Sequence, residues 1–279
     1  MRKLSEYFNE KIRQIIFQYQ EDNIYEIRIR IHAPVILNTA TGEKIIRECI
    51  INEQDIKDCF NRITEYSAYA YEENLIEGYI TVPGGHRIGV GGYMTWKGDK
   101  SAVIKNIRFL NFRVRHSIEG CSESVLKKLS DKGLGNILII APPGLGKTTL
   151  LRDLIKNISN KITGTSICVI DERNEIGGCY KGVPTIDLGI RTDVISNCSK
   201  AAGILMAIRA MAPQIIAVDE IGGGADMKAL EYANISGVNI IATIHGKDVE
   251  DIKEKLGDKM LSVFTSKVII KGIGEYICC

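Results

Sequence analysis

The chain has 279 residues, 45% of them hydrophobic, and its 36 basic and 34 acidic side chains leave a formal net charge of +2. That length suits one large or two ordinary domains with a sizeable core, and so even a charge balance argues against nucleic acid as the partner. No apolar run approaches the ~20 residues of a membrane span, and Met1 to Tyr19 is charged throughout, without a signal-peptide core. A cytoplasmic protein with no transmembrane segment of its own is therefore expected.

In chain order, Leu4, Tyr7, Phe8, Ile12, Ile15, Ile16 and Tyr19 have helical spacing and predict an amphipathic helix over 3–20, its stripe turned to a core. Residues 26–31, EIRIRI, alternate strictly and predict a strand with Ile27, Ile29 and Ile31 on one face and Glu26, Arg28 and Arg30 on the other. More strand follows over 34–51, with a turn at Thr41-Gly42, then a helix over 53–73. Residues 78–93, GYITVPGGHRIGVGGY, predict a hairpin around Pro83-Gly84-Gly85, and 107–115 alternate again with Arg113 and Arg115 on one face. Residues 1–120 thus predict a small α+β domain.

From residue 121 the pattern changes to alternating strand and helix. Strands are expected at 136–141, 166–170, 214–219, 238–243 and 267–271, with helices near 147–159, 198–212, 225–235 and 248–257. Short buried strands joined by helices predict an α/β domain, 121–279, with a parallel sheet covered on both faces. Ligands in such folds sit at the C-terminal strand ends, where Ala141, Asp171, Asp219 and Thr243 fall.

The sharpest signal is NILIIAPPGLGKTT at 136–149, an apolar strand, a Gly/Pro loop and a helix opened by Lys-Thr-Thr. This is the pattern of a P-loop, or Walker A, phosphate cradle. Gly144 and Gly146 allow positive φ, so that the N–H groups of Pro143-Gly144-Leu145-Gly146-Lys147-Thr148-Thr149 that exist can converge on an anion. Lys147 would reach the β- and γ-phosphates of ATP, and Thr148 would place a hydroxyl on Mg²⁺. Ala141 stands where such loops usually begin with glycine.

Three further boxes supply polar groups. In 215–220, IIAVDE, Asp219 would hold the Mg²⁺ shell, partly through water, and Glu220 would orient or deprotonate the attacking water. In 168–175, CVIDERNE, Glu172 is a second carboxylate able to assist Glu220. In 240–246, IIATIHG, Thr243 and His245 can sense the γ-phosphate. For Arg209, before the Asp219 strand, two readings stand side by side: a local salt bridge or a contact to nucleotide. Arg28, Arg30, Arg87, Arg113 and Arg115 are candidates for reaching phosphate across a domain or subunit boundary. The eight cysteines, at 49, 59, 121, 168, 179, 198, 278 and 279, form no C-x-x-C pair, so neither zinc nor a disulfide framework is expected. Cys168 reads as a small buried hydrophobe and Cys278-Cys279 as a reduced chain end.

The order of boxes, APPGLGKT at 141–148, VIDERNE at 169–175, IRAMAPQIIAVDE at 208–220 and ATIHG at 242–246, resembles the secretion ATPase superfamily, the motors of type II and type IV secretion and pilus assembly. EIRIRI, the PGGHRIGVGGY hairpin, DERNEI at 171–176, GIRTDV at 189–194 and MAPQIIAVDEIGG at 211–223 look most like its stage III sporulation AA family. The resemblance implies a RecA-like ATPase core, catalytic roles for Lys147, Glu172, Glu220 and His245, and a hexamer, with nucleotide-dependent assembly one of its expected modes. It also implies docking in the mother cell on membrane proteins of the channel complex that faces the forespore. Asp219 departs from the superfamily, which often lacks that Asp, and no helical C-terminal domain follows the fifth predicted strand. Two other readings remain open: a RecA-type nucleic-acid motor or loader, which expects basic, aromatic-bearing loops where the second half has only Tyr180, Tyr232, Phe264 and Tyr276, and a non-catalytic nucleotide-dependent scaffold, which would not need Glu172, Asp219 and Glu220.

Overall fold

The computed structural model describes residues 4–19, 24–71, 75–76, 78–97, 101–116, 118–130, 133–272 and 274–279. They divide into two compact units, Met1–His116 with Gly178–Lys181, and Ser117–Gly177 with Gly182–Cys279. The chain therefore leaves the second unit for four residues and returns to it.

The first unit is a six-stranded antiparallel sheet in the order β3-β2-β1-β6-β5-β4, built from β1 (Ile24–Arg30), β2 (Pro34–Thr39), β3 (Gly42–Ile50), β4 (Tyr79–Val82), β5 (His86–Lys97) and β6 (Ser101–Arg113). Alternation puts Ile27, Ile29, Leu37, Ile88, Leu110 and Phe112 in the core, where they meet Phe8, Ile12 and Ile16 of the N-terminal segment and Ile56, Cys59 and Ile63 of α2 (Glu53–Ile63). The opposite face carries Glu26, Arg28 and Arg30 of β1 beside Arg113 and Asn111 of β6. Tyr180, from the four-residue excursion, packs against this core and hydrogen-bonds Tyr71 hydroxyl to hydroxyl at 2.9 Å, and the neighbouring Lys181 pairs with Glu65 at 2.7 Å.

Two expected helices are shorter than their apolar spacing suggested. The one over 3–20 becomes a 3-10 turn, Leu4–Tyr7, and α1, Glu10–Gln18, because Asn9 caps α1 by accepting the Ile12 N–H. The one over 53–73 ends at Ile63, since Glu65 and Tyr66 adopt left-handed backbone (φ 50° and 61°), and a 3-10 turn follows at Ala68–Tyr71.

The second unit is a seven-stranded sheet in the order β13-β12-β7-β11-β10-β8-β9. Its strands are β7 (Ile137–Ala141), β8 (Ile167–Asp171), β9 (Thr192–Ser196), β10 (Ile215–Val218), β11 (Asn239–His245), β12 (Ser266–Gly272) and β13 (Glu275–Cys278). All pairings are parallel except β12–β13. Period-two alternation makes two cores. On one face Leu138, Ile140, Ile216, Val218 and Ile240 meet α5 (Lys200–Ala210), α6 (Gly224–Ile235) and α7 (Val249–Leu256), with the short α8 (Asp258–Leu261) at the edge. On the other, Ile137, Ile139, Val169, Ala217 and Ile241 meet α3 (Glu123–Ser130) and α4 (Lys147–Lys161). Leu150, Leu151, Leu154, Ile155 and Ile158 form the buried stripe of α4. The five expected strands are all present and pair in parallel as expected; β9, β13, α3 and α8 are additional, β13 adding one antiparallel strand at an edge of the sheet. No described helix is long and apolar enough to cross a membrane.

Candidate active site

β7 delivers the phosphate loop. Ala141 ends the strand fully buried, opposite His245 of β11. Gly144 and Gly146 take φ of 80° and 84°, and a Cβ at Gly144 would meet nothing within 4 Å. Glycine is thus required there by backbone conformation, not by space. Gly146 caps α4, whose first turn presents N–H groups that have no intrahelical acceptor.

Lys147 is buried, and its Nζ donates to the carbonyls of Ala141 (3.0 Å) and Pro142 (3.1 Å) and lies 2.8 Å from His245 Nδ1. Burial holds its ammonium below the ordinary lysine range, and the charges of Asp219 and Glu220 pull it back up. Because Lys147 donates to Nδ1, the His245 proton belongs on Nε2, which points at Glu220 Oε1, 3.2 Å away. The other Glu220 oxygen is held by Arg173 at 3.0 Å. A chain of contacts thus runs from the phosphate-loop lysine through the imidazole to the carboxylate.

Asp219 and Glu220 follow β10 directly. Thr148 donates its hydroxyl to Asp219 Oδ2 at 2.9 Å, and Thr243, fully buried on β11, donates to Oδ1. Thr243 also accepts the Glu220 N–H at 2.8 Å. Glu220 adopts left-handed backbone, φ 46°, a region a non-glycine residue rarely takes. The residues fit a Mg²⁺ ion bound with phosphate: two hard oxygen groups, on Thr148 and Asp219, sit side by side, and among the described residues no cluster of three or more His, Cys, Asp or Glu could form an all-protein cage.

Glu172, just past β8, pairs with Lys200, and both line one cleft with Arg173, Asp219 and Glu220. Asp171 turns elsewhere: buried, it accepts N–H groups from Glu175 (2.7 Å), Ile176 (3.0 Å) and Gly177 (2.7 Å). Burial pushes its carboxyl up and those donors hold it down. Its carboxylate shapes the loop, and the residue lines the same cleft at the strand end where the sequence placed it.

The structure gathers Lys147, Thr148, Asp219, Glu220, His245 and Glu172, with Pro143 to Thr149 forming the loop and first turn beside them. Arg209 is exposed in the last turn of α5, whereas the first turn of the same helix reaches Glu172. Its own helix therefore holds it away from the cluster. Arg113 and Arg115 belong to the first unit: Arg113 is exposed at the end of β6, and the Arg115 N–H donates to His86 Nδ1 at 3.0 Å. Sequence reasoning missed Lys200 and gave Arg173 no role. The available signal was a lysine opening a helix, where the dipole disfavours a cation.

The family described as sporulation stage III, protein AA, matches residues 2–275. The chain belongs to that family. Stage III sporulation protein AA of Bacillus subtilis (strain 168) is 35% identical over 271 residues, covering 94% of this chain and 87% of that protein. Among solved structures, the Legionella pneumophila ATPase DotB superposes with a TM-score of 0.66 at 15% identity, over 96% of this chain and 78% of that one. The pilus retraction motor PilT, with bound ADP, gives 0.62 at 18% identity over the same shares. The stage III AA chain thus has the fold of these proteins, an antiparallel-sheet domain ahead of a RecA-like α/β core, as the order of its motifs implied.

Proposed function

We propose that this stage III AA protein is an ATPase, and that hydrolysis drives a motor serving a membrane-spanning channel between mother cell and forespore during endospore formation. The observation that carries the hydrolytic reading is Glu220, clamped by His245 and Arg173 next to the Asp219–Thr148 pair and one imidazole away from Lys147.

Each residue has a task in this scheme. Lys147 exchanges the Ala141 and Pro142 carbonyls for phosphate oxygens. Thr148 and Asp219 would hold Mg²⁺, which neutralises phosphate charge when bound. Glu220 takes the proton of the attacking water as the new P–O bond forms and the bond to ADP breaks. Glu172 supports it from β8. When Lys147 leaves His245 Nδ1 for phosphate, the imidazole is freed to re-aim Glu220, so occupancy of the loop is reported to the base.

The printed names of the relatives, a sporulation protein, an ATPase and a pilus retraction motor, support the wider reading. On it, residues 121–279 are the ATPase domain and 1–120 the partner-facing domain, and the protein acts from the mother-cell cytoplasm as a hexamer docked on membrane proteins. An arginine such as Arg113, Arg115 or Arg209 would come from the neighbouring copy.

Binding of a fluorescent ATP analogue and phosphate release test this together. Lys147→Ala is expected to abolish binding. Glu220→Gln should bind Mg·ATP but turn over at least ~100-fold more slowly. Parent-like turnover by Glu220→Gln removes the base, and a parent without ATPase activity removes the reading as a whole.

A further inference from the structure

Among the described residues two lysines are buried, Lys147 and Lys200. The first belongs to the phosphate loop. Lys200 opens α5 behind the cap Ser199, whose side chain accepts the Ala202 N–H. A cation in the first turn opposes the helix dipole, and a buried ammonium is costly unless paired. Both penalties are accepted at one position, and what the ammonium gains there is Glu172, in a cleft shared with Asp219 and Glu220.

A second observation shows that the contact is built. Lys200 reaches Glu172 because the first turn of α5 lies tight on β8. At Gly203, one turn on, a Cβ would fall 2.5 Å from Ile170 Cγ2 and 2.9 Å from Cys198 Sγ. Any larger residue would force Ile170, Cys198 or the helix itself to shift. Glycine inside a helix is less stabilising than alanine, so α5 gives up helix stability for an approach that brings its lysine to the strand end.

We propose that Lys200 is a positioning residue for hydrolysis: it fixes the orientation of the Glu172 carboxylate in the cleft shared with Glu220, and Gly203 sets the depth at which it does so. This rests on the ATPase reading above. Without Lys200, Glu172 loses the ion pair that orients it among the described residues, and a misplacement of about 1 Å in such a constellation can cost 100-fold in rate. Nucleotide binding depends on the phosphate loop and is untouched.

Steady-state kinetics on the full chain separate the possibilities. Lys200→Met is expected to lower kcat roughly 10- to 100-fold with the KM for Mg·ATP within about twofold, and Lys200→Arg to restore most of it. Glu172→Gln combined with Lys200→Met should be no slower than the slower single variant, because both remove the same carboxylate function. Gly203→Ala, which keeps the lysine but displaces it, should lower kcat in the same direction, and it decides the matter if Lys200→Met does not fold. Parent kcat in Lys200→Met or Gly203→Ala, or losses that multiply in the double variant, overturn the proposal. An inactive parent chain instead brings down the ATPase reading, and this role for Lys200 with it.

Discussion

Glu220 sits at φ 46°, a backbone region that costs a non-glycine residue of order 1–3 kcal/mol. Thr243 offsets the strain: one hydroxyl accepts the Glu220 N–H and donates to Asp219, so both carboxylate residues hang on a single buried oxygen. Thr243→Val keeps the shape and deletes that oxygen. It should destabilise the chain by about 1–3 kcal/mol in urea titrations and slow single-turnover phosphate release at least ~10-fold, with Mg·ATP still bound; Thr243→Ser should behave as the parent. Unchanged release by the valine variant would mean that the strain is held elsewhere. At this scale much was legible. Lys147, Thr148, Asp219, Glu220 and His245 lie at strand ends inside short motifs, and local spacing alone brings them to one edge. Lys200 was not, because its place depends on how closely a helix docks, which Gly203 decides from one turn away.

Among the elements, strong apolar period marked all five central strands, and the misses have physical causes. β9 is an edge strand with half-buried side chains, and β13 pairs only with β12, so neither has the continuous apolar run of a central strand. The helices over 3–20 and 53–73 kept their apolar spacing past the points where Asn9 and the left-handed Glu65-Tyr66 pair end the hydrogen-bonding pattern. The end of the β5–β6 ladder makes its own prediction. His86 is half-buried and accepts the Arg115 N–H, and desolvation, aided by His116 and Arg115, pushes its pKa down to about 4 from 6.5. The folded form disfavours the proton and the unfolded chain takes it up near 6.5, so the contribution is whole above that pH and is lost as pH falls toward 4. At 1.36 kcal/mol per unit the gap is worth about 3 kcal/mol. In thermal unfolding between pH 7 and pH 4, His86→Asn, whose amide oxygen can accept the same N–H, should lose less stability than the parent. Parallel curves would show that His86 does not contribute.

At the scale of the whole molecule, the sequence divided the chain once, at residue 120, whereas the compact units exchange it three times: after His116, after Gly177 and after Lys181. No composition shift marks the excursion, because four residues are too few to carry a period, and Tyr180 is recognisable only by what it packs against. Tyr180→Ala removes a ring from the first unit's core and the hydroxyl bond to Tyr71. Amide exchange should quicken in β1 and β6 and stay slow in β7, β10 and β11, although the substitution lies in the second half of the sequence. Uniform protection across the chain would mean that the excursion adds nothing to the first unit. The same four residues bear on how members of this family can be recombined. A crossover near residue 117 that trades one N-terminal half for another separates Tyr71 and Glu65 from the Tyr180 and Lys181 they are matched to. Working chimeras should therefore need Gly178–Lys181 to travel with the N-terminal half, as a graft within the second unit's sequence.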